Sequence, residues 1–313
     1  MWPHVIIVKG FPRPLPPDRR HMNYEIFKTN LFNTIETRLG AKVLSGPDDI
    51  SCFEMNGLSV NACVISIPGR NFYPVIYPDL YFDKYRKGST FEEIVENVLD
   101  VIRYTNEDTF NFDEISDYEK AKAHIVPRLV SFSGNEDMLE RRAFVPYLNL
   151  AVVFIYVISS KEDELVSFAI NDEQVRTWGV SRKKIFCDSI ETSMKLFPPL
   201  IESIKEALPL VRDEDFKPFY VLTNSRKQYG AACVLYDNVL SDFADEIGES
   251  FYLIPSSVHE MLLIPESFNI DVREMKQMLI EVNDSVLKPE EVLSDRVYFF
   301  DMNSKSMDFA SKD

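Results

Sequence analysis

Near the middle of the chain, residues 148–158 read LNLAVVFIYVI, polar only at Asn149 and the Tyr156 hydroxyl. A run of this length is too short for a membrane helix, which needs about 20 apolar residues. Its β-branched and aromatic content suits a buried strand. A chain that must bury such a strand has to build a sheet around it. FVPYLNLAVVFIYVIS and ELVSFAI, either side of the charged stretch SKEDE, therefore read as one long β-hairpin over 143–169.

Helical patterns surround this sheet signal. Residues 22–40, MNYEIFKTNLFNTIETRLG, place Ile26, Leu31, Ile35 and Leu39 at helical spacing, with Gly40 suited to a left-handed stop. GSTFEEIVENVLDVIRY (88–104) is the clearest helix. Thr90 and Glu93 have the spacing of a capping box, and Phe91, Ile94, Val95, Val98, Leu99 and Ile102 form one apolar stripe. Between these two helices AKVLS, SCFEMNG, LSVNACVISI and FYPVIYP are strand-like pieces separated by tight turns, as in a meander. A helix around SDYEKAKAHIV is expected to end near Pro127, and further helices are expected over 181–196 and 199–207.

The last hundred residues repeat a rhythm. FYVLTN and GAACVLY read as strands and NVLSDFADEIG as a helix; FYLIPSS and EMLLIP follow as strands, then DVREMKQMLIEVN as a helix. The fold class expected is α+β: an antiparallel meander with flanking helices, then a C-terminal ββα-ββα layer. The expected organisation is a flexible or non-native leader (1–21), an N-terminal α+β region (22–207) and a linker (208–218). A ββα-ββα region (219–301) and a polar tail (302–313) complete it. The leader is set apart by five prolines and the absence of a helical period.

Composition narrows the classes of function. Cys52, Cys63, Cys187 and Cys233 contain no CxxC pair, and Cys63 and Cys233 sit inside apolar runs, where cysteine serves as a small core residue. A reducing cytoplasm fits that usage. The formal net charge is −16, which repels phosphate backbones and anionic membranes at long range. Direct nucleic-acid binding and membrane association are therefore not expected. An acidic mimic of nucleic acid, carried by a mobile element or phage, is one alternative, although the acids are interleaved with apolar residues rather than gathered on one stretch.

Among chemical motifs, PSSVHEMLLIP (255–265) stands out. A zincin needs HExxH on a helix, but Leu263 occupies the fourth position after His259 and the surroundings favour strand. Ser256 and Ser257 lack the glycines of a GxSxG elbow. The structural reading is a strand corner, in which Pro255 ends a strand, the serine hydroxyls satisfy the turn and His259-Glu260 begins the return. The candidate catalytic set, should one exist, is Ser256, Ser257, His259 and Glu260. Asn224 and Gly230, in TNSRKQYGAA, are weak ligand-binding candidates; the loop lacks GxxxxGK[ST], so close packing at Gly230 and turn bonding by Asn224 are the plainer expectations. No cofactor or metal is indicated.

Several blocks, in order, carry a resemblance: YPDLYFDKYRKGSTFEEIVENVL, VLTNSRKQYGAACVLYDNVL, FYLIPSSVHEMLLIP, MLIEVN and VLSDRVYFFD. Together they resemble the bacterial family called domain of unknown function 5688, from about Met22 to Asp301. The resemblance implies a cytoplasmic bacterial protein and supplies no activity. It also implies an acid in the central strand where this chain has Asn149, a departure that argues against chemistry needing a carboxylate there. The function expected is that of a non-enzymatic binding or interaction protein with a protein partner. A hydrolase-like enzyme built on Ser256, Ser257, His259 and Glu260 is the alternative.

Overall fold

A computed structural model describes residues 22–44, 53–55, 58–60, 63–68, 74–104, 112–161, 164–204 and 219–311. The leader (1–21) and the linker (208–218) anticipated from sequence lie outside these residues. Contacts divide the chain into two units, Met1–Phe53 with Ser59–Phe110 and Glu54–Leu58 with Asn111–Asp313. Each strand pairing with a described register is antiparallel, and helices are interspersed among these antiparallel sheets, which makes the fold α+β.

In the first unit, α1 (Tyr24–Leu39) starts where the Asn23 side chain accepts the Ile26 N–H at 2.9 Å and stops at Gly40 in the left-handed region. Its buried face is Phe27, Leu31 and Ile35, whereas Ile26 is half exposed, so the stripe starts one residue later than the spacing suggested. The expected meander region holds β1 (Lys42–Leu44), β4 (Cys63–Ser66) and β5 (Val75–Ile76) in this unit, with β2 (Phe53–Met55) and β3 (Leu58–Val60) overlapping the Glu54–Leu58 stretch that counts with the second unit. The order β1-β4-β5 makes one sheet, and β2 pairs with β3 alone. A helix not anticipated from sequence, α2 (Pro78–Arg86), has proline in its first turn and sets Phe82 and Tyr85 against Phe27. In α3 (Phe91–Tyr104) both capping-box bonds form: Glu93 N–H to Thr90 Oγ1 at 3.1 Å, and Thr90 N–H to Glu93 Oε2 at 2.7 Å. Ile94, Val95, Val98, Leu99 and Ile102 are fully buried in the same core as Phe27, Leu31 and the buried thiol of Cys63.

The second unit begins with α4 (Phe112–Ser116) and α5 (Tyr118–Ala121) and continues through a 3-10 turn into β6 (Ile125–Ser131). Pro127 therefore lies inside a strand rather than ending a helix. It is tolerated because β6 is at the edge of its sheet, where the missing N–H breaks no ladder bond. After α6 (Glu136–Leu139) come β7 (Phe144–Tyr147), β8 (Leu150–Lys161) and β9 (Glu164–Ala169). The buried run is β8, whose residues 150–157 are all buried between β6 on one side and β7 with β9 on the other. A turn at Leu148, with φ of 53°, splits the expected hairpin into three strands. Asn149 lies in that turn, not in the central strand. It donates to Ser294 Oγ at 2.9 Å and accepts from the Tyr298 hydroxyl at 2.6 Å.

Two helices, α7 (Asp172–Trp178) and α8 (Arg182–Leu196), lead to β10 (Pro199–Ser203), where a helix over 199–207 had been expected. Pairing with β11 (Tyr220–Asn224), in register Pro199 to Asn224 through Ser203 to Tyr220, overrides the helix-start preference of proline. GAACVLY, read as a strand, is a buried 3-10 helix (Gly230–Leu235). Next come α9 (Val239–Ile247), β12 (Phe251–Ser257), β13 (Glu260–Pro265), α10 (Val272–Ser285), β14 (Tyr298–Asp301) and β15 (Ser306–Phe309). These strands complete a six-stranded sheet of order β10-β11-β13-β12-β14-β15. The stretch expected as a polar tail thus supplies an edge strand. Among the described residues, no helix is long and apolar enough to cross a membrane.

Candidate functional site

The end of β11 and the loop after it are organised by one side chain. Asn224 Oδ1 accepts the Arg226 N–H at 3.0 Å and the Gln228 N–H at 3.4 Å, while Nδ2 donates to the Gln228 carbonyl at 2.8 Å. Such bonding is the ordinary use of asparagine in a turn, and it leaves the amide committed to scaffold. The loop then passes through Tyr229, which is left-handed at φ 53°, and enters the 3-10 helix at Gly230.

Gly230 is where the β11 end and the β12–β13 turn meet. A Cβ placed there would sit 2.3 Å from Thr223 Oγ1, 2.6 Å from the Asn224 nitrogen and 2.7 Å from the His259 carbonyl oxygen. The Thr223 hydroxyl donates to the same His259 carbonyl at 2.9 Å. The close backbone packing read from the glycine is thus what brings Asn224, Gly230 and His259 together.

The β12–β13 turn uses its own polar groups. Ser257 Oγ accepts the His259 N–H at 3.0 Å, and the Ser256 hydroxyl donates to the Glu260 carbonyl at 3.2 Å. Pro255 lies within β12 rather than at its end, in the stretch where pairing with β13 shifts register between Ile254 and Ser257. His259 Nδ1 accepts the Tyr229 backbone N–H at 3.1 Å, and Nε2 faces Glu291 Oε1 at 3.8 Å. A ring nitrogen that accepts a backbone N–H carries no proton, so the neutral ring holds its proton on Nε2. The lone pair that a general base would need is engaged in holding Tyr229.

Beside this junction lies a small recess, with room for about one water molecule. Its lining joins Val126, Ile155, Leu165 and Phe197 to Arg128, Arg226 and Tyr229. Val126, Ile155 and Phe197 belong to one small apolar core, against which Leu165 packs. The Arg128 guanidinium lies over the Tyr229 ring, its carbon 3.2 Å from the ring centroid. Deeper, Ser193 Oγ and the Tyr236 hydroxyl are 2.6 Å apart, and Tyr236 also donates to the Phe197 carbonyl at 3.3 Å. Burial pushes the Tyr236 hydroxyl well above its ordinary range and the neighbouring Cys233 thiol up to about 12. Both are neutral at physiological pH, so neither is an activated nucleophile or base.

Of the sequence candidates, Asn224 alone lines this pocket. His259 reaches it indirectly, through the Tyr229 backbone, while Ser256, Ser257 and Glu260 stay within the strand corner. Arg128 and Tyr229 are not among those candidates. The available signal for Arg128 was a single basic residue inside the apolar stretch IVPRLVS, hidden once Pro127 is taken as a helix end.

The model of a family described as a family of unknown function (DUF5688) matches residues 24–302. Neither the curated proteins nor the solved structures compared with the chain give a match.

Proposed function

Since the chain belongs to the DUF5688 family, which brings no reaction with it, we propose from the site itself that this is a non-enzymatic binding protein acting through the pocket beside Tyr229. One observation carries the reading. The His259 lone pair that could serve catalysis is bonded to the Tyr229 N–H at 3.1 Å, so the most reactive-looking side chain is a structural strut for the pocket wall. The serine hydroxyls support the same view, because each is bonded within its own turn. A reducing cytoplasm, with Cys63 and Cys233 as buried thiols, is the compartment proposed, and a protein partner reading the occupied state is the proposed output.

The test pairs native mass spectrometry of the full chain with an ester-hydrolysis panel. The expected result is a retained small molecule or a saturable ligand mass, with no turnover that depends on the corner residues. Ester turnover abolished by Ser256→Ala or His259→Asn, in variants that keep the wild-type circular dichroism, would establish the hydrolase alternative instead.

A further inference from the structure

The imidazole of His259 stands where three segments meet. Its Nδ1 accepts the Tyr229 N–H at 3.1 Å from the loop after β11, and its Nε2 faces Glu291 Oε1 at 3.8 Å from the 3-10 turn Pro289–Glu291. These two contacts ask for opposite protonation states. Nδ1 can accept only while it carries no proton, whereas a carboxylate beside Nε2 favours the imidazolium. The side chain is 25% exposed, so solvent protons reach the ring.

Charged groups on the other elements packed around the ring leave this conflict in place. Arg128, on β6, covers the Tyr229 ring, whose centroid is 5.2 Å from that of the imidazole, and its charge opposes a second cation nearby. Glu260, at the start of β13, meets Ser256 Oγ at 3.4 Å. In the loop, Arg226 is tied through its N–H to Asn224 and Lys227 pairs with Glu202, while Lys288 pairs with Glu290 at the 3-10 turn. Tyr229 is the residue most exposed to the outcome. Its φ of 53° lies in the left-handed region, which costs a bulky side chain energy and persists where neighbours hold it. Two further bonds cross the junction: the Thr223 hydroxyl to the His259 carbonyl at 2.9 Å, and the Ala231 N–H to the Val258 carbonyl at 3.4 Å. Neither uses the ring, so its protonation loosens Tyr229 without separating the segments.

We propose that His259 is a proton-sensitive latch. With the ring neutral, Tyr229 is held left-handed against the Arg128 guanidinium. When a solvent proton binds Nδ1, two N–H donors face each other, the Tyr229 contact breaks and the imidazolium pairs with Glu291. The latch goes beyond the binding reading and operates whether or not the adjoining recess takes a ligand.

Amide hydrogen exchange of the full chain, followed by NMR at about pH 7.5 and about pH 5.5, tests it across the range in which histidines titrate. Each rate is divided by the intrinsic rate at that pH. Protection of the Tyr229 amide should fall by roughly three- to tenfold at the lower pH, the scale of one hydrogen bond, while the amides of β8 keep theirs. His259→Gln cannot titrate, so its Tyr229 protection should be the same at both values. Glu291→Gln should move the fall to lower pH, because the imidazolium loses its carboxylate. The Cε1–H shift of His259, assigned by the peak missing from His259→Gln, should titrate together with the loss at Tyr229. Thermal melting of each variant at both pH values separates a loosened loop from lost folding. Unchanged or increased Tyr229 protection in the wild-type protein at the lower pH overturns the latch without any variant. A pH-dependent loss that persists in folded His259→Gln, or a fall at higher pH in Glu291→Gln, overturns it as well.

Discussion

At Gly230 a single hydrogen atom is what lets two chain segments touch. Two of the three atoms a Cβ would meet, the Asn224 nitrogen and the His259 oxygen, are backbone, which cannot swing aside as a side chain can. Gly230→Ala is therefore expected to destabilise the protein by about 3 kcal/mol, the upper part of the overpacking range. A urea midpoint unchanged from wild type would show that the loop can shift without cost. The role of this glycine, and the turn bonding of Asn224, could be read from TNSRKQYGAA, because both follow from local chain geometry. The stack of Arg128 on Tyr229 could not. It joins residues far apart in sequence, through a strand that had been read as the end of a helix.

At the scale of elements, local signals worked where they were self-contained. The capping box of α3 and its apolar stripe need only their own turn and one buried face. Thr90→Ala should cost about 1 kcal/mol by leaving the Glu93 N–H without its cap. Thermal denaturation measures this, and a variant with wild-type stability would mean that water replaces the hydroxyl at no loss. Local signals failed where pairing decided the outcome. Pro127 and Pro199 are both good helix-boundary residues, yet each lies in an edge strand because a neighbouring strand offers hydrogen bonds along one side. Gly230–Leu235 looks like a short apolar strand, and periodicity cannot distinguish that from a buried 3-10 helix.

For the whole molecule, the acidic balance sets how it responds to its medium. With 50 acidic and 34 basic side chains, the folded state carries net repulsion that salt screens. Raising sodium chloride from about 10 mM to about 300 mM at pH 7 should raise the melting temperature, because the Debye length falls from about 30 Å to below 10 Å. A falling temperature would show that attractive pairs such as Arg182 with Asp172 outweigh the repulsion. The sequence by itself determined the α+β class, the buried strand β8, the capped helix α3, the membership of a family and the turn roles of Asn224 and Gly230. All of these depend on composition or on interactions a few residues long. Only the tertiary structure decided that His259 props a pocket wall and that Arg128 lies on Tyr229 inside that pocket. Those contacts arise when β6, the loop after β11 and the β12–β13 turn are brought together by sheet pairing and close packing, and no spacing within any one segment encodes them.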